Sequence, residues 1–148
     1  MPHAGRIQRH IAVDAQGTVL AVKTTPANVR DETMVQPLLD ALDASPIRSI
    51  WCWMADRGYG FDFTVRDLQA RGIESMFAER DEPPDAHGSG LGVIRRVVEQ
   101  TFAHFGLFRR IRHCYEKTGK HFQAFHELAA ALLCYKRLVH YQCYTERL

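Results

Sequence analysis

The sequence predicts an α/β protein, a mixed sheet with helices packed on it, and three observations carry that reading. Two short β-branched runs are joined by a glycine turn near the start. A near-continuous apolar run of strand length, Ser49–Ala55, follows a helical stripe. Apolar residues at the 3.6-residue period dominate the last third. Strands and helices that alternate in this way pack as a sheet covered by helices. At 148 residues, with 46% hydrophobic and 24% charged, the chain has the size and composition of one soluble domain, taken as residues 1–148.

In order, His10–Ala15 and Thr18–Thr25 flank Gln16-Gly17 and read as a β-hairpin. Asp31 is positioned to cap a helix over 32–43, with Met34, Val35, Leu38, Leu39 and Leu42 on one face, although Pro37 threatens a kink. Ser49–Ala55 (SIWCWMA) suits a strand buried on both faces. A helix over 61–71 carries Phe61, Val65 and Leu68, and Gly72 follows as a C-cap glycine. Ile73–Ala78 is a further strand. Residues 79–92, rich in Pro, Gly and charge, form a loop. A helix over 93–106 has a stripe of Ile94, Val97, Val98, Thr101, Phe102 and Phe105, and a second amphipathic helix spans 121–141.

No apolar run approaches the roughly 20 residues that span a bilayer, and no signal peptide opens the chain, so a cytoplasmic protein without membrane contact is expected. The four cysteines, at 52, 114, 134 and 143, form no Cys-x-x-Cys pair and are expected as small buried hydrophobes. The histidines show no helical zinc-pair spacing, and GSGLG at 88–92 lacks the Lys-Ser/Thr of a phosphate-binding loop.

The net charge of +2 hides an asymmetry. Residues 1–91 hold nine basic against thirteen acidic side chains; residues 92–148 hold ten against four. The second half therefore suits a polyanion, or else presents a solvated basic face.

Two carboxylates stand out. Asp56 ends the SIWCWMA strand before Gly58 and Gly60, where open α/β sheets present ligand-binding groups; the alternative is a turn-opening or capping role. Glu99 lies on the flank of the 93–106 stripe, four residues after Arg95, and alone reads as a surface ion pair. Together they describe ligands for a hard cation such as Mg²⁺, whose phosphoryl-transfer sites draw carboxylates from different elements.

At this point several stretches resemble one family in order and spacing: RHIAVDAQGTVLAVKTTPANVRDE (9–32), MADRGYGFD (54–62), RGIESMF (71–77), RRVVEQTFAHFGLFRRIRHCYEK (95–117) and HFQAFHELAAALLCYKRL (121–138). The chain resembles the DDE transposases of bacterial insertion sequences, in particular the insertion-sequence-five group. The resemblance implies an RNase H-like fold. It implies DNA as partner, Mg²⁺ or Mn²⁺ as cofactor, and cleavage and transfer of DNA strands as activity. The family motif Ala-Asp-x-Gly-Tyr falls on Ala55, Asp56, Arg57, Gly58 and Tyr59. The motif Arg-x-x-Val-Glu-x-x-Phe falls on Arg95, Val98, Glu99 and Phe102. Asp56 and Glu99 are thereby implied as catalytic metal ligands. Arg95, Arg96, Arg109, Arg110, Arg112 and Lys117 are the expected DNA contacts. Two departures are visible. Gly92 and Gly106 stand where the related signature has Tyr and Lys, and the first family aspartate, expected on a strand before His10, has no counterpart; Asp14 matches a noncatalytic family position. The chain is thus expected to lack its first strand and to work as a homo-oligomer or with an upstream N-terminal product. A noncatalytic DNA-binding or regulatory fragment, or a degenerate remnant, is the alternative.

Overall fold

The computed structural model describes residues 7–44, 49–77 and 91–145. Strands β1 (Ile7–Val13) and β2 (Val19–Pro26) form the expected antiparallel hairpin, pairing Ile11 with Val22 and Ala12 with Ala21. Its turn is closed by Asp14, whose Oδ1 accepts from the amides of Gln16 (2.9 Å) and Thr18 (2.7 Å). Gly17 holds φ +79°, and a Cβ there would meet Val97 Cγ1 at 3.0 Å and Thr101 Oγ1 at 3.2 Å. Both the turn and the close approach of the later helix therefore demand glycine.

A 3-10 turn, Asp31–Met34, leads into α1 (Val35–Asp43), which buries Val35, Leu38, Leu39 and Leu42 as the stripe predicts. Pro37 lies in its first turn, where backbone N–H groups have no partner inside the helix, and costs no hydrogen bond. Asp31 caps nothing. The residue preceding the 3-10 turn is Arg30, and no side chain bonds the free amides.

β3 is shorter than expected, Cys52–Ala55. Of the apolar run only Trp53 is buried, and Trp51 is 77% exposed. A strand buried on both faces needs cover on both, and here one side chain finds it. A second 3-10 turn, Arg57–Tyr59, precedes α2 (Asp62–Ala70), which buries Thr64 and Leu68 and leaves Phe61 outside as the preceding residue. Gly72 ends the helix at φ +70°, as predicted. The α2 crossover brings β4 (Glu74–Phe77) parallel to β3, from Cys52 opposite Glu74 to Ala55 opposite Phe77.

Residues 79–90 of the expected loop lie outside the described residues. Leu91 and Gly92 are helical and open α3 (Leu91–Gly106), which is followed by a single turn, α4 (Arg109–Arg112), and the 27-residue α5 (Gly119–Thr145). Among the described residues no helix is long and apolar enough to cross a membrane.

The order of elements is the expected one, but the sheet is not single. The described residues form two separate two-stranded sheets, β1–β2 and β3–β4. The hairpin is the middle layer. Neighbouring residues of a strand face opposite ways, so Ala12 and Ala21 join Leu38, Leu39, Leu42, Trp53, Leu68 and Ile73 on one side. Val22 joins Phe105, Ile111, Ala129 and Ala130 on the other. The thiols depart from expectation: Cys52 and Cys134 are half-buried, but Cys114, in the connection after α4, is exposed.

Candidate active site and nucleic-acid interface

Asp56 stands where strand geometry predicts, at the C-terminal end of β3, and is exposed. Its Oδ1 accepts from Arg57 N at 2.9 Å, and its carbonyl accepts from Tyr59 N at 3.0 Å. The turn-opening role is therefore real, and it leaves the second carboxylate oxygen facing water.

Glu99 lies on the outer side of α3 and is paired with Arg95, Oε1 to Nε 3.2 Å. Both side chains are about two-thirds or more exposed, 67% and 73%, so the pair contributes little to stability. The inner side of α3 packs on the hairpin turn, with Thr101 Oγ1 donating to Val97 O at 2.9 Å. No hydrogen bond or ion pair joins Asp56 to Glu99 among the described residues. Exposed carboxylate oxygens are the right donors for a hard divalent cation. Yet no three His, Cys, Asp or Glu side chains among the described residues gather into a group that could hold one. The described donors alone do not fit a complete metal site. Asp14 does not complete it, because its carboxylate is committed to the hairpin turn.

Three residues near the Asp56 turn, His10, Asp31 and Tyr59, make contacts with one another and with the turn that the sequence pattern does not foretell. His10 on β1 is 1% exposed, with Nδ1 2.9 Å from Tyr59 Oη and Nε2 2.9 Å from Thr25 Oγ1. Asp31 accepts a short hydrogen bond from Gln8 Nε2 and lies against Gly58, where a Cβ would come within 3.2 Å of its Oδ2. Burial first, then the charges of Asp31 and Asp56, push the Tyr59 phenol well above its usual range. Burial lowers the His10 imidazole despite the nearby Asp31.

The predicted basic contacts divide. Arg95, Arg96, Arg109, Arg112 and Lys117 are exposed on or near α3 and α4. Arg110 is exposed as well, but its head group is engaged within the chain, with Nη2 2.7 Å from Glu116 Oε1 and its guanidinium 4.3 Å from the Phe125 ring centroid. Arg137, on α5, is likewise occupied, donating to Gln16 O at 2.6 Å.

The acidic end of β3 and the exposed basic residues of α3 and α4 thus belong to a mixed α/β fold. The chain belongs to the transposase DDE domain family, whose model matches residues 3–134. It is 41% identical over 137 residues to a candidate transposase for insertion sequence element IS402 of Burkholderia cepacia, covering 88% of this chain. The chain spans 64% of that relative's length. No solved structure matches. Members of this family generally use a divalent metal.

Proposed function

We propose that this protein is the transposase of an insertion sequence, or its C-terminal part, that binds DNA and takes part in metal-dependent cleavage and transfer of DNA strands. The single observation that carries the reading is Asp56, exposed at the end of β3 inside the family's Ala-Asp-x-Gly-Tyr motif. In the proposal Asp56 and Glu99 are two of the carboxylates that hold Mg²⁺ or Mn²⁺. A divalent cation held there would stabilise the charge that develops on a phosphodiester under attack.

The third carboxylate is proposed to come from a strand outside the described residues that lies between β1 and β3 and joins the two sheets into one RNase H-like sheet. Two features support this. Both sheets already contribute to one core, through Ala12, Ala21 and Trp53. Trp51, beside β3, is left 77% exposed, as an edge awaiting a neighbour would be. That strand is proposed to belong to a separate N-terminal segment of the transposase. The exposed cations Arg95, Arg96, Arg109, Arg112 and Lys117 are proposed to track the DNA backbone, in a cytoplasmic setting.

The test is excision of a marked element in cells supplied with the complete transposase carrying this chain. Asp56→Asn and Glu99→Gln are each expected to abolish excision at normal protein levels. Excision persisting in either variant overturns that residue's assignment.

A further inference from the structure

Asp56 is exposed, and among the described residues its carboxylate makes one hydrogen bond, to the amide of the next residue. Nothing else orients it, so the direction of the carboxylate is decided by the 3-10 turn on which it sits. That turn has one long tether. Tyr59 closes it by donating its amide to Asp56 O at 3.0 Å and sends its ring back towards the hairpin.

The hydroxyl meets His10, and His10 meets Thr25, each at 2.9 Å. Protons can be assigned along this chain. The phenol, held protonated by its surroundings, donates to Nδ1; the imidazole is neutral, and its Nε2–H donates to Thr25 Oγ1. His10 is 1% exposed and stands edge-on to the Tyr59 ring, with centroids 6.2 Å apart at 86°. It pairs opposite Lys23 in the hairpin ladder, so the anchor is rigid. On the other side of the turn Asp31, fixed by Gln8, abuts Gly58. The turn is thus clamped between β1–β2 and the 3-10 segment that begins at Asp31, although 49 residues separate His10 from Tyr59.

We propose that Tyr59, anchored by His10 and Thr25, is a positioning residue for Asp56: it fixes the direction in which the carboxylate leaves the end of β3. This rests on the reading of Asp56 given above. Misplacing a reacting group by about 1 Å costs on the order of 100-fold in rate, so loss of one distant hydroxyl is expected to register in turnover far more than in stability.

The test is Tyr59→Phe in the full chain, which keeps the ring and removes the hydroxyl. The Arg57 amide proton and the Asp56 ¹³Cγ resonance report the Asp56–Arg57 hydrogen bond directly. Both are expected to shift, the amide proton upfield, with a melting temperature close to wild type. In the excision assay with the complete transposase, activity should fall about 100-fold. Thr25→Val, which cuts the outer link without touching the turn, should shift the same two resonances by less; it serves if Tyr59→Phe does not fold. Unmoved resonances overturn the proposal, whatever happens to stability, since a side chain that merely supports the core would lower the melting temperature alone. Shifted resonances with unchanged excision overturn it too. Asp56→Asn with wild-type excision would show instead that the assignment of Asp56 had failed, taking the proposal with it.

Discussion

The side-chain amide of Gln123 on α5 stands in for a neighbouring strand at the outer edge of β2: its Oε1 accepts from Thr24 N at 2.7 Å and its Nε2 donates to Val22 O at 2.8 Å. An edge strand with free N–H and C=O groups invites pairing with another chain, and here one residue closes two of those groups. Gln123→Leu should therefore cost about 2 kcal/mol, because it strands two backbone groups. Gln123→Glu should do no better. It keeps the acceptor but sets a charge against Val22 O and Glu127, which now accepts from Gln123 Nε2 at 2.9 Å. Urea unfolding measures both; a cost under about 0.5 kcal/mol for Gln123→Leu would mean that water replaces the amide without loss.

Gly17 and Gly72 separate backbone strain from crowding. Both have positive φ, +79° and +70°, but a methyl group at Gly17 would lie within 3.2 Å of Val97, Arg137 and Thr101, whereas one at Gly72 would meet open space. Gly72→Ala should cost about 1–2 kcal/mol from left-handed backbone alone. Gly17→Ala should cost clearly more, since α3 and α5 must also move. Equal losses in thermal melts would contradict the close packing of the hairpin turn on α3.

Two buried histidines make stability depend on pH. Burial lowers both His10 and His126 below the ordinary value near 6.5. For His126, the Phe122 carbonyl opposes burial and nearby Arg9 reinforces it. The unfolded chain then takes up protons before the folded one does. Stability is full above about pH 6.5 and is lost as pH falls from there towards the lowered folded values. The loss approaches about 1.4 kcal/mol per pH unit for each histidine. Urea midpoints at pH 7.5, 6.5 and 5.5 should decline, and His126→Leu should roughly halve the decline. A midpoint independent of pH over this range would contradict the burial of both rings.

DNA affinity should fall with salt, and the arginines of α4 should not contribute alike. Arg109→Ala with Arg112→Ala should flatten the plot of log affinity against log salt by about 0.9 for each phosphate no longer neutralised. Arg110→Ala should leave that slope unchanged and lower the melting temperature, because Arg110 already serves Glu116 and Phe125. Filter binding at several salt concentrations distinguishes them; a changed slope in Arg110→Ala would show that its internal contacts open on DNA.

Much of the fold is legible in the sequence because it is local. Gly17 marks the hairpin, Gly72 the end of α2, and the stripe from Met34 to Leu42 the buried face of α1. Asp56 is legible because a carboxylate after an apolar strand is an unusual thing to place. What cannot be read depends on pairs distant in sequence. His10 meets Tyr59 across 49 residues, and Gln123 meets Thr24 across 99. Asp31 looks like a helix cap because nothing local shows that Gln8 and Gly58 claim it. The exposure of Trp51 is hidden for a different reason: an apolar run does not say which of its faces finds cover.

The most direct measurement is nicking of DNA that carries the element ends, by the purified chain with Mg²⁺ or Mn²⁺, with and without the complementary N-terminal segment. The account predicts no nicking by the chain alone, because the third carboxylate is proposed to come from a separate segment. It predicts nicking once the segment is added, and loss of that nicking in Asp56→Ala. Nicking by the chain alone, lost in Asp56→Ala, would contradict the need for an outside strand; nicking that survives Asp56→Ala in the complemented protein would contradict the active site itself.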